Sequence, residues 1–282
     1  MGELFGVGAG TPLGVSIRFR DAQGRGTYRE EGWGVAALQG GAAMTLKAPT
    51  ARPDAPTARM LAEGRTLRGE GALAYIRRWT HSASLANCHP FVRELGGREW
   101  AFAHNGSVPG LRREFPTPPG RFRPVGGTDS EHAYCVLLDA LEAQAAGPGP
   151  ADPAAWAERL LRVLHPVSAR IARHGMFNYL LLGERCLVAF SSGEYGLYLL
   201  AMDAAPRVLV LEDEDWRIEV EADAPARPCV VVASNPMTPG AWRRLGPGEL
   251  VAIADGRTLA AHAPEPPPAR RARRPPHGVG EP

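Results

Sequence analysis

The chain has 282 residues, 44% of them hydrophobic and 22% charged, enough to bury a substantial core in one large or two small domains. Its formal net charge of +2 excludes the strongly basic field of a nucleic-acid binder. Cys88, Cys135, Cys186 and Cys229 form no CxxC pair, which argues against a zinc site. With no secretory h-region and no apolar run of membrane-spanning length, reduced thiols in a cytoplasmic protein are the expectation.

In chain order, residues 4–19 alternate apolar and small side chains and read as extended chain, followed by a turn at 21–26. Residues 33–38 and 43–46 read as two strands joined by Gln39-Gly40-Gly41, a hairpin signal. A loop rich in Pro, Ala and Thr is expected over 48–58, a short helix over 60–67 and a strand over 72–76. Residues 99–103 predict a further strand, ending in a polar turn at His104-Asn105-Gly106.

After a Pro/Gly-rich loop at 117–127, residues 130–145 carry Ala133, Val136, Leu137, Ala140 and Leu141 at helical spacing, with Thr128 or Asp129 as N-cap. Gly147-Pro148-Gly149-Pro150 stops that helix, and 154–164 repeats the pattern with Trp156, Leu160, Leu161 and Leu164. The second half reads mainly as strands, at 178–182, 186–190, 195–200, 229–233 and 250–254. Residues 212–215 read as an acidic, solvated turn. From Pro264 the chain is basic and proline-rich and cannot bury apolar surface. The expected organisation is one domain over 1–260 and a disordered tail over 261–282, with strands and helices in blocks that predict α+β layers.

Chemistry-bearing residues gather in ordered segments of the first 131 residues. These are Met1-Gly2-Glu3-Leu4, Glu31-Gly32-Trp33-Gly34, Tyr75-Ile76-Arg77-Arg78-Trp79-Thr80-His81, Asn87-Cys88-His89-Pro90-Phe91, Phe102-Ala103-His104-Asn105-Gly106 and Thr128-Asp129-Ser130-Glu131. The series resembles the class II glutamine amidotransferases, and the stand-alone bacterial branch in particular. Asn178-Tyr179-Leu180-Leu181 and Ala233-Ser234-Asn235-Pro236-Met237-Thr238 extend the resemblance to about residue 260. It implies an N-terminal-nucleophile hydrolase fold, a four-layer α/β/β/α sandwich.

The resemblance also implies roles. In the family Met1 is removed and the exposed cysteine attacks the amide, with its own α-amine as base. Arg77 matches the arginine that pairs with the glutamine α-carboxylate, a task suited to a planar guanidinium. Its other reading is a structural salt bridge. Asp129 matches the carboxylate that accepts the α-ammonium, and it could equally cap a helix. Asn105 and Gly106 match the oxyanion pair, although Asn-Gly is also a common hairpin turn. Thr80 and His81 are expected to shape the pocket. No metal or organic cofactor is implied.

Gly2 breaks the pattern, because it stands where the family carries its cysteine. Loss of a covalent nucleophile can cost on the order of a million-fold in turnover, so glutaminase activity is expected to be absent. Cys88 is a poor substitute, and Cys135 is expected in the core. Glu31 and Tyr75 stand where relatives often have Asp and His. The leading expectation is a protein that binds glutamine or a γ-glutamyl compound without hydrolysing it. The alternatives are an active amidohydrolase with an unusual nucleophile, and a non-enzymatic subunit that binds a protein partner. An ammonia acceptor, if one exists, would sit on another protein. No nucleic acid or membrane is expected as a partner.

Overall fold

A computed structural model describes residues 2–19, 32–49, 56–62, 67–77, 84–145, 152–183, 186–214, 216–223, 225 and 227–263. Chain order begins with β1 (Gly2–Phe19), β2 (Trp33–Gln39), β3 (Ala42–Ala48), α1 (Pro56–Ala62) and β4 (Arg68–Arg77). There follow β5 (Phe91–Leu95), β6 (Arg98–Ser107), α2 (Leu111–Glu114), α3 (Asp129–Ala145) and α4 (Pro153–Ala172). The second half holds β7 (Met176–Gly183), β8 (Cys186–Ser191), β9 (Tyr198–Ala205), β10 (Val208–Glu212), β11 (Trp216–Ala222) and β12 (Arg227–Ala233). It ends with β13 (Arg243–Arg244), β14 (Glu249–Ala254) and β15 (Arg257–His262).

The strands form two sheets. One has the order β13-β9-β12-β1-β4-β2-β3, with β11 also paired to β1 and β10 to β11; the other runs β15-β14-β8-β7-β6-β5. Their inner faces meet through Leu4, Leu73, Tyr75, Ala103, Leu180, Val232 and Ile253. Phe5, Val7 and Val35 point the other way, and Ala58 and Leu61 of α1 join their cluster. Period-two alternation along β1 thus serves two cores at once. On the far side, α3 and α4 cover the second sheet, with Leu137, Tyr134 and Leu160 against Phe102, Phe177 and Tyr179. The layers are helix, sheet, sheet, helix, so the expected α/β/β/α sandwich is the observed fold.

Several expectations shift at the level of elements. The hairpin between β2 and β3 turns at Gly40 and Gly41, whose φ angles of 59° and 85° suit glycine. Of the helix expected over 60–67, residues 60–62 are the end of α1 (Pro56–Ala62), 63–66 lie outside the described residues, and Leu67 is not helical. The second long helix does not stop at 164 but runs to Ala172 through Pro166, burying Ser168 and Ile171. The strand expected over 195–200 lies at Tyr198–Ala205. Residues 212–214 are more than a solvated turn: Asp213 accepts from the Trp216 backbone N–H and indole N–H, both at 3.2 Å, and so closes β10 onto β11. The expected turn at 21–26 and the tail from 264 lie outside the described residues, and β15 extends to His262.

Candidate functional site

The described candidate residues lie where four elements begin or end: the start of β1, the end of β4, the end of β6 and the start of α3. Antiparallel register sets Gly2 directly opposite Arg77. β1 is held from the other side by the segment after β12. Leu4 N–H donates to Ser234 Oγ at 2.9 Å, and Ser234 N–H donates back to the Leu4 carbonyl at 3.0 Å. Asn235 Nδ2 reaches Glu3 Oε1 at 3.4 Å. The 233–238 motif, noted above only for its resemblance, therefore fixes the first residues of the chain in space.

From the second sheet, Asn105 reaches across. Gly2 N–H donates to Asn105 Oδ1 at 2.9 Å. Asn105 is fully buried, and its Nδ2 has no hydrogen-bond partner among the described residues. With its oxygen accepting from Gly2, the amide keeps its Nδ2 donors unused among the described residues. His104-Asn105-Gly106 is not the turn expected from its sequence. All three residues continue β6 and pair with Tyr179, Asn178 and Phe177 of β7. The long-range ladder overrides the local Asn-Gly signal. Gly106 has φ of +148°, and a Cβ there would run into the Met176 carbonyl and lie 2.7 Å from His104 Nε2. Only glycine fits.

His104 is buried between Ser130 Oγ at 2.9 Å from Nδ1 and the Met176 carbonyl at 3.1 Å from Nε2. A carbonyl can only accept, so Nε2 carries the proton and Nδ1 accepts from the Ser130 hydroxyl. Burial pushes its pKa down, opposed by the charge of Asp129 and the bond to Met176, and the ring is a neutral brace. Sequence reading gave neither His104 nor Ser130 a role, and their pairing has no local signature.

Asp129 opens α3 without capping it. Thr128 is the cap, its Oγ1 accepting from Glu131 N–H at 3.1 Å. The Asp129 carboxylate instead accepts from Val108 N–H at 2.7 Å, Ser107 Oγ at 3.1 Å and Ser130 N–H at 2.9 Å. It ties the helix start to the end of β6, beside Asn105 and Gly106. Thr80, His81 and the Arg77 side chain lie outside the described residues.

All four cysteines are buried, and none is in a disulfide. Burial pushes the thiols of Cys135, Cys186 and Cys229 up to about 12. Cys135, on the buried face of α3, sits in the core, as expected. Cys88 Sγ donates to the Ser84 carbonyl at 3.3 Å. Among the described residues no cluster of His, Cys, Asp and Glu is arranged to hold a metal ion, and no helix is long and apolar enough to cross a membrane.

Comparison with known proteins gives the family. The family model "Glutamine amidotransferases class-II" matches residues 1–276. The Escherichia coli K12 protein "Putative glutamine amidotransferase YafJ" is 32% identical over 255 residues, covering 88% of this chain and 96% of that one. A Methanocaldococcus jannaschii protein, MJ1515, is 27% identical over 92% of this chain and 71% of its own. The crystal structure of a "predicted glutamine amidotransferase" from Pseudomonas aeruginosa PA01 superposes with a TM-score of 0.71 at 30% identity, covering 92% of this chain and 99% of that one. A fold shared at that coverage, with a family match across nearly the whole length, leads to one conclusion: this chain belongs to the class II glutamine amidotransferases.

Proposed function

We propose that this protein binds glutamine or a γ-glutamyl compound at the Gly2 end of β1 and does not hydrolyse it. The observation that carries the reading is the pairing of Gly2 N–H with Asn105 Oδ1 at 2.9 Å. Residue 2 is thus held against the amide that matches the family's oxyanion donor, yet it brings no side chain to attack with. Arg77, opposite Gly2 in the sheet, and Asp129, at the start of α3, would hold the α-carboxylate and α-ammonium of the ligand. Asn105 Nδ2 and the Gly106 backbone N–H would face the side-chain carbonyl.

Without a nucleophile such a site is complementary to the substrate and supplies no covalent step. The oxyanion donors and binding alone can leave roughly a thousand-fold acceleration over water, far below an enzyme with its thiol. The test is calorimetric titration of the full chain with L-glutamine, beside an assay of glutamate release. Saturable binding without release is the expected result. Arg77→Ala is expected to weaken binding about 10- to 100-fold, the loss of a charge-assisted hydrogen bond. Turnover at an ordinary enzymatic rate that survives Cys88→Ala would overturn the non-hydrolysing reading, and no binding would overturn the ligand.

A further inference from the structure

The space beside Gly2 is occupied. A Cβ placed on residue 2 would lie 2.5 Å from the Ile76 carbonyl oxygen, and the Tyr75 Oη and Cζ atoms would be closer still. Real Cβ atoms do not approach other heavy atoms so closely, so residue 2 can take a side chain only if the Tyr75 ring moves away and the β4 backbone at Ile76 gives by several tenths of an ångström.

Nor is Tyr75 a loose surface ring that could swing aside. It is buried between the sheets with Leu4, Leu73, Ala103 and Leu180. Its ring lies against His89, with centroids 4.2 Å apart, and His89 in turn lies against Phe91 at 4.6 Å. The backbone of 89–90 is pressed against β2 beside Tyr75: Gly34 pairs with Tyr75 in the sheet, and a Cβ on Gly34 would meet the His89 carbonyl and come within 2.9 Å of Pro90 Cδ. Tyr75 is thus confined by His89 on its ring and by β2 at its side.

We propose that Tyr75 is a plug for the side-chain position of residue 2, and that Gly2 and Tyr75 are a matched pair. This rests on reading Gly2 as the nucleophile position. It also goes further, because the thiol is not simply missing: its volume has been filled. The consequence is that a single Gly2→Cys change does not rebuild the site. It overpacks it.

A double-mutant cycle on the full chain tests this, using Gly2→Cys, Tyr75→Leu and the pair, with thermal unfolding as the readout. Leucine keeps apolar bulk at position 75 but does not reach residue 2. Gly2→Cys alone is expected to lower Tm by about 5 °C, the scale of an overpacked site in a chain of this size. In the Tyr75→Leu background the same change should cost less than half of that, a non-additivity that two contacting residues must show. Thiol alkylation at residue 2, located by peptide mapping, should be several-fold faster in the pair than in the single variant. Equal Tm losses in both backgrounds would overturn the proposal, as would a Gly2→Cys chain that fails to fold in either, since the Ile76 carbonyl would then be the obstacle. None of these readouts needs glutamine, so a failure to bind glutamine and a failure of the plug are separate results.

Discussion

Ser234 satisfies both backbone groups of Leu4, one through its hydroxyl and one through its own N–H, and it is 3% exposed. Replacing it with alanine leaves the Leu4 N–H buried without that partner, at a cost of about 1–3 kcal/mol. Chemical denaturation of Ser234→Ala should show that loss, and glutamine affinity should fall with it because the start of β1 is no longer fixed. Gly106 is more severe. A methyl group there meets the Met176 carbonyl and must also adopt a φ of +148°. Backbone strain and a backbone clash together exceed about 3 kcal/mol, so Gly106→Ala is expected to give little folded protein in circular dichroism. The same geometry separates what local chemistry said from what it could not. Asn-Gly suggested a turn, and Asn105 was named from a resemblance, but its orientation toward Gly2 depends on a strand 103 residues away.

Among the elements, α3 does most to join the loop before it to the sheet. Glu131, 1% exposed, accepts from the Val125 N–H at 3.0 Å and the Gly126 N–H at 2.6 Å, and it pairs with Arg93 of β5. Two residues earlier, Asp129 ties the same helix to β6. Removing the Glu131 carboxylate leaves two backbone N–H groups without that acceptor and a part-exposed Arg93 without its carboxylate, at a cost of about 1–3 kcal/mol. Glu131→Ala should therefore lower stability on that scale and speed proteolysis within 117–127, read by mass spectrometry of timed digests. Thr128→Ala, which removes only the cap, should cost about 1 kcal/mol. The sequence held the helix in view and narrowed its cap to Thr128 or Asp129, because a small polar residue before an apolar run has a local cause; the hydrogen bond from Glu131 N–H decides for Thr128. It also held a strand that went unread at 216–222, where buried Trp216, Ile218 and Val220 alternate with more exposed Arg217, Glu219 and Glu221.

For the whole molecule, acid sensitivity follows from the buried histidine brace. The pKa of His104 is lowered in the folded chain by burial, so the unfolded chain binds more protons once the pH falls below about 6.5. Its stabilising contribution is full above that pH and is lost as the pH falls toward the folded value, at up to about 1.4 kcal/mol per pH unit. His132 is shifted in the same direction, burial being the main cause. Urea midpoints at pH 7 and pH 5 should fall less for His104→Gln than for the parent chain, because the variant keeps hydrogen-bonding groups but cannot titrate. An equal fall would remove His104 from the account. The sequence by itself determined the layered α+β class, the helix faces, the hairpin at Gly40-Gly41 and the residue types gathered for one family's chemistry. Each of these depends on neighbours a few residues apart or on composition. Tertiary structure alone decided that Asn105 lies in a strand, that Ser234 clasps Leu4, and that Tyr75 fills the space beside Gly2. These are meetings between distant segments, set by sheet register and packing volume, and no local pattern of residues encodes them.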